Sequence, residues 1–342
     1  MKNLVAEISA NHNNSLEIAI KTIKAAKEAL ANSVKIQTYT PDCLTLPVRS
    51  EIFKIKNTEL WDERYLHDIY KEGALPFAWH RDLFNAARDI DIVLFSSPFS
   101  LNALDLLESL DCPMYKIASF EILDCEFIYS VASTKKPMIL STGIAIKSEI
   151  EEALDACISA GCKDITLLLC TSSYPAPIKL ANINRLKSLS DLGKNKNKNV
   201  NIKVGLSDHT TSNLCAIMAT TLGAQMIEKH FILDKSLGGL DASFSLDPIE
   251  FKQLALDIKN ATLALGESAL QESEDIKIKG RNFGRSLFIK APIKKGEFLT
   301  RENIGSFRPN AGLHPRFLKE AIGKRATKDL DFGKPLFRDD FI

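Results

Sequence analysis

Eight short β-branched runs punctuate the chain, and they constrain its fold more than any other feature. They lie at residues 4–8, 34–37, 92–96, 114–117, 137–141, 165–169, 203–207 and 224–230. Their near-continuous apolar character is that of strands covered on both faces, as in a parallel sheet flanked by helices. The segments 16–30, 100–110, 146–161 and 211–223 carry apolar residues at three- and four-residue spacing, which predicts helices between those strands. Alternation of this kind, eight times within residues 1–267, predicts an α/β fold of the (β/α)8 TIM-barrel type. A doubly wound open sheet is the alternative, although its dinucleotide-binding form is disfavoured because no GxGxxG follows the first strand.

Three stretches depart from a bare barrel. Residues 41–80, between the second and third strands, form an excursion with both tryptophans, Trp61 and Trp79, and a predicted helix at 60–72. GKNKNKNVN, before the seventh strand, reads as a solvated Lys/Asn loop. After residue 267 the composition turns polar, and 268–282 reads as a linker. Residues 283–342, with short alternating runs and turn signals, read as a small β-rich domain. A domain that small has a thin core and leans on a partner surface.

Charge and cysteine usage exclude several classes. The net charge is +1 with both signs mixed, which leaves no stripe for nucleic acid and no membrane-binding face. The seven cysteines are scattered without a CxxC pair, the pattern of reduced, buried thiols. The N-terminal stretch has no apolar core of a signal peptide and carries Glu7 there. A cytoplasmic location is the expectation.

Barrel chemistry gathers at the C-terminal ends of strands. The chain places there Glu7, Asn11 and His12, then Lys35 and Gln37, then Ser97, then Lys116, Ser119 and Glu121. Ser141, Thr142 and Gly143 follow on the fifth strand, Ser172 and Tyr174 on the sixth, Ser207 and His209 on the seventh, Glu228 and His230 on the eighth. Lysines and hydroxyls converging on one mouth suit a phosphate or carboxylate, so Lys35 and Lys116 are expected anion binders. The alternative is two lysines reaching solvent. His209 and His230, one βα unit apart, either hold a divalent metal with water and substrate oxygens or serve as hydrogen-bonded structural residues. No third fixed ligand is evident, and the set suits Mn²⁺ or Mg²⁺ better than structural zinc. Glu7, an acid in an apolar strand, is either ion-paired with a lysine or a general acid/base. His12, Trp61, Trp79, His80 and the cysteines read as structural.

The motifs AEISANHNN, VKIQTYTPD, LFSSPFS, YKIASFEI, LSTGIA, GLSDHT and EKHF, in this order, resemble the sialic acid synthases. The segment IKKGEFLTRENIGSFRPNAGLHP is similar to their C-terminal SAF (antifreeze-like) domain. QTYTPDCLTL, WDERYLHDIYKEGALPFAWH and RPNAGLHPR look most like the pseudaminic acid branch. The resemblance implies condensation of phosphoenolpyruvate with the aldehyde of a deoxy acetamido sugar, 2,4-diacetamido-2,4,6-trideoxy-altrose in that branch. It further implies a divalent metal (Mn²⁺, with Mg²⁺ or Co²⁺ as alternatives), a domain-swapped homodimer and a place in nonulosonic acid biosynthesis for glycans such as those of flagellin. Residue by residue, Lys35, Ser97, Lys116, Ser119 and Ser207 match phosphoenolpyruvate-binding positions, and His209 and His230 match the metal ligands. Glu7 and Gln37 match sugar-facing positions, with Glu7 the acid/base, and Tyr174 and Asp241 match pocket positions. Arg308 matches an arginine that enters the partner subunit's site. Ser97 and Ser172 depart from the Thr and Asn of many relatives, which bears on the sugar more than on the phosphate. Competing readings are an N-acetylneuraminate or legionaminate synthase, a Schiff-base aldolase through Lys116, a 3-deoxy-sugar synthase, and a non-catalytic glycan-binding protein.

Overall fold

In a computed structural model that describes residues 2–56, 60–196, 199–266 and 275–342, the chain divides into two compact units, Met1–Gly266 and Glu267–Ile342. The first is a closed barrel of eight parallel strands: β1 (Asn3–Glu7), β2 (Ser33–Thr38), β3 (Val93–Pro98), β4 (Tyr115–Ile117), β5 (Met138–Ser141), β6 (Asp164–Cys170), β7 (Asn201–Asp208) and β8 (Met226–His230). Strand β1 pairs with both β2 and β8, which completes the ring. Each run expected from the sequence is a strand, and the helices Leu16–Glu28, Leu101–Ser109, Lys147–Ser159 and Leu214–Thr221 fall inside the segments expected to be helical.

Register decides what each strand shows to the interior. Glu7 lies level with Lys35 and with His230, Gln37 with Ser97, Cys170 with Ser207, and Ser207 with Glu228. Neighbouring residues at one level point the same way, so these polar side chains share the barrel interior while the residues between them face the helices. The outward polar residues are satisfied locally. Lys229, fully buried, pairs with Asp208 at 2.7 Å and donates to the Ser212 carbonyl at 3.0 Å. Thr38 bonds to Ser96 at 2.6 Å and to His80 Nε2 at 2.8 Å. His80 Nδ1 donates to the Pro76 carbonyl at 3.2 Å, so Nε2 is the acceptor and the ring is neutral. Buried polar groups of this kind are tolerated because each has a partner.

Three expectations change. The excursion helix spans Leu66–Gly73 and not 60–72. Glu63 sits in a turn at φ 64°, and residues 63 and 64 exchange backbone bonds with Ile55, which places them beside an antiparallel bridge between Lys54 and Tyr65. The Lys/Asn-rich stretch is helical up to Lys196, because the helix Arg185–Lys196 continues through Gly193. A Cβ at Gly193 would come within 2.7 Å of Ile202, so glycine allows the close helix–strand approach. Residues 267–274 lie outside the described residues, but Asp275–Arg281, read as linker, is a helix. Its acidic start and basic end complement the helix dipole.

The second unit pairs β9 (Ser286–Ile289) with β10 (Ile304–Phe307) in antiparallel fashion. Its own small core contains Leu287, Ile289, Ile293, Leu299, Ile304 and Leu336. Among the described residues, no helix is long and apolar enough to cross a membrane.

Burial holds the His80 imidazole down at about 4, against an ordinary 6.5. The unfolded chain therefore takes up a proton on this residue below pH 6.5, and the folded chain only below about pH 4. Its contribution is complete above pH 6.5 and fades as pH falls through that window, by about 3 kcal/mol in all. His80→Gln should flatten that part of the pH dependence of the urea midpoint. A profile parallel to the wild type between pH 4 and 6.5 would contradict this.

Candidate active site

Four buried charges alternate at the C-terminal mouth of the barrel. Glu228 Oε1 lies 3.2 Å from Lys116 Nζ and 3.7 Å from Lys35 Nζ, and accepts from Ser207 Oγ at 3.0 Å. Lys35 is shared with Glu7 Oε2 at 2.8 Å, and Glu7 Oε1 accepts from Gln37 Nε2 at 2.9 Å. Burial alone would raise the Glu228 carboxyl, but Lys116 and Lys35 hold it down to about 2. Burial would likewise lower Lys35, yet Glu228 and Glu7 keep it above the ordinary lysine value. Lys116 is lowered, by burial first and by Lys35 after it. Glu7 is raised by burial, against the pull of Lys35.

The sequence-derived anion binders are thus neither solvent-reaching nor free: both ammoniums are held by carboxylates. Of the two readings of Glu7, the ion pair is present, and the raised carboxyl beside Gln37 leaves acid/base work open to it. Glu228, central to the cluster, is placed at the mouth by the sequence but given no role there. Its signal was there, as an acid two residues before His230 in a buried strand and therefore on the same face.

The imidazoles of His209 and His230 stand 5.3 Å apart, centroid to centroid. His209 Nδ1 donates to the Thr171 carbonyl at 3.0 Å, which leaves Nε2 for other partners. His230 Nδ1 is buried without a hydrogen-bond partner among the described residues, 3.6 Å from Asp241 Oδ2. Burial lowers His230 well below the ordinary histidine value, helped by His209, Lys35 and Lys116. Among the described residues, no group of three or more His, Cys, Asp or Glu side chains is arranged to hold a metal ion. Two neutral-capable imidazoles fit a metal whose remaining positions belong to water and substrate. Cys170, read as core, lies 3.9 Å from His209 Nδ1 and belongs to this cluster.

Hydroxyls complete the floor. Ser119 Oγ meets Ser172 Oγ at 2.8 Å and accepts from the Ile144 backbone N–H at 3.2 Å. Gly143 keeps this cradle open, since a Cβ there would lie 2.2 Å from Ser172 Oγ and 2.6 Å from Ser119 Oγ. Ser97 and Ser141 carry buried hydroxyls with no partner among the described residues. Above the floor lies a cavity of about 620 Å³, lined in part by Gln37, Tyr174, His230 and Asp241. Trp61, read as structural, also lines it and lies 6.0 Å from the Tyr174 ring. Arg308 is exposed, just past the end of β10 in the second unit.

The model of the NeuB family matches residues 22–269, and that of the SAF domain matches residues 284–342. The chain belongs to the NeuB family. A pseudaminic acid synthase of Helicobacter pylori is 49% identical to it over 98% of this chain and 97% of that protein. One of Campylobacter jejuni subsp. jejuni is 45% identical over 99% and 96%. Among solved structures, the N-acetylneuraminic acid synthetase of Leptospira borgpetersenii, in complex with citrate, superposes with a TM-score of 0.70 at 28% identity. That match covers 82% of this chain and 91% of the other. The sequence resemblance to sialic acid synthases is therefore sound, and the NeuB barrel and SAF segment follow one another as expected.

In this NeuB barrel the Glu228 charge balances two buried ammoniums. Removing one partner of a buried pair typically costs about 3–5 kcal/mol. Glu228→Gln should therefore lower the melting temperature, and added inorganic phosphate should raise it more in the variant than in the wild type. An unchanged melting temperature would show that the carboxylate is not needed to hold the lysines.

Proposed function

We propose that the protein is a pseudaminic acid synthase. It condenses phosphoenolpyruvate with 2,4-diacetamido-2,4,6-trideoxy-altrose to give pseudaminic acid and inorganic phosphate. One observation carries the reading: Lys35, Lys116, the open serine cradle and the His209–His230 pair converge on one barrel mouth. They do so in a chain aligned nearly end to end with pseudaminic acid synthases at 49% and 45% identity.

In the proposed reaction, C3 of the enol attacks the sugar's aldehyde carbon, a new C–C bond forms, and the aldehyde oxygen takes up a proton. Water adds at C2, and the resulting tetrahedral centre loses phosphate by C–O cleavage. Lys35, Lys116, Ser97, Ser119 and Ser207 bind the anionic reactant and stabilise the departing phosphate, which fixed donors in a buried site do more strongly than water. Glu7 holds the proton for the aldehyde oxygen, and Gln37, Tyr174 and Asp241 orient the sugar. His209 and His230 would hold a divalent metal, Mn²⁺ with Mg²⁺ or Co²⁺ as alternatives, which supplies Lewis acidity at the aldehyde oxygen when bound. In a domain-swapped homodimer, Arg308 reaches the sugar in the partner's barrel. The enzyme works in the cytoplasm, and its product feeds glycans such as those of flagellin.

The decisive assay uses phosphoenolpyruvate labelled with oxygen-18 at the bridging position, Mn²⁺ and a panel of acetamido hexoses. The label should leave with phosphate, and the product mass should match pseudaminic acid. Preference for the precursor of N-acetylneuraminate or legionaminate would reassign the sugar. A borohydride-trapped adduct at Lys116, or no phosphate with any sugar, would end the synthase reading. Separately, Arg308→Ala should raise KM for the sugar far more than KM for phosphoenolpyruvate; equal changes would remove it from the sugar side.

A further inference from the structure

The 620 Å³ cavity has two unlike walls. Gln37, Tyr174, His230 and Asp241 make one of them polar. The other is built by the excursion between β2 and β3, from Leu44, Ile55, Trp61, Leu66, Ile69 and Tyr70. Among the described residues that line the cavity, none is Lys or Arg. A neighbouring hollow shares Trp61, but its cations are engaged: Arg64 pairs with Glu72 at 2.5 Å and Lys235 with Glu250 at 2.6 Å.

The apolar wall is a fixed surface. His12 Nδ1 accepts from the Asn14 backbone N–H at 3.1 Å, so its Nε2 carries the proton and donates to the Gly73 carbonyl at 3.2 Å. That bond ties the end of the helix Leu66–Gly73 to the loop after β1. At the far end of the excursion, His80 holds the Pro76 carbonyl and Thr38. Tyr39, which also lines the cavity, packs beside the wall with its ring 6.1 Å from Tyr70, and a Cβ on Gly73 would already lie 3.0 Å from the Tyr39 hydroxyl. Packing this close leaves the wall little room to retreat from a ligand.

We propose that this excursion is the specificity-determining element of the site, and that it reads the deoxygenated, methyl-bearing face of an uncharged N-acyl sugar. The inference rests on the synthase reading. A hydroxyl turned against the side chains of Leu44, Ile55, Leu66 and Ile69 loses water without gaining a partner, and a phosphoryl group meets no Lys or Arg of this barrel among the described lining residues. Apolar pockets reject an added hydroxyl by roughly 10²-fold in kcat/KM, which sets the expected scale.

The test compares phosphate release with the 2,4-diacetamido-2,4,6-trideoxy sugar and with N-acetylmannosamine, which keeps its hydroxyls at C4 and C6. The wild type should favour the deoxy sugar by about 10²-fold in kcat/KM. Ile69→Thr should narrow that ratio about tenfold while KM for phosphoenolpyruvate stays unchanged. Leu66→Asn, at a less buried place on the same wall, gives a second reading should the first variant fold poorly. An unchanged ratio in the folded variants, or an equal loss for both sugars, would overturn the inference and leave the synthase reading intact. No phosphate release by the wild type with either sugar would overturn both.

Discussion

The Glu228 carboxylate, set between two buried ammoniums, is the interaction on which the barrel mouth depends. Two lysines inside a barrel are tolerable only if their charges are balanced at short range, because an unpaired buried ion is far costlier than any local packing can offset. Glu228 and Glu7 supply that balance, and they also aim both ammoniums at one place. An incoming anion therefore meets positive groups already oriented, which is the condition for strong electrostatic stabilisation.

That arrangement needs a frame that keeps strands level. The outward polar pairs serve this purpose: Asp208–Lys229 joins β7 to β8, and Thr38–Ser96 joins β2 to β3. Each spans adjacent strands just behind inward-facing site residues, so that frame and site are alternate faces of the same strands. His80 extends the second pair to the excursion, which links the wall of the sugar cavity to the strand bearing Lys35 and Gln37. The proposed phosphate site and the proposed sugar wall thus share one mechanical support.

Much of this was legible in the residues. The eight strands follow from apolar runs too continuous for one-sided burial, and the mouth follows from polar residues at their ends. What escaped had specific reasons. Glu228 stood at the mouth beside His230, but its role depends on Lys35 and Lys116 from other strands, which strand-end position alone does not reveal. Cys170 and Trp61 were indistinguishable from core residues, because a thiol or an indole reads the same whether it faces a helix or a cavity. The excursion helix began late because Glu63 and Arg64 pair with Ile55, a contact that helical periodicity does not contain.

The amino-acid order by itself determined the eight alternating strands and helices, their order and the polar residues at the strand ends, because alternation and burial are local properties of the chain. It also carried the NeuB kinship, through motifs spread along its whole length. Only the tertiary structure decided which of those charges pair, since Glu7, Lys35, Lys116 and Glu228 come from four strands. Their distances are set by register around a closed ring, not by spacing along the sequence. The same closure decided that the excursion turns an apolar wall to the cavity, and no segment of the chain read alone contains that fact.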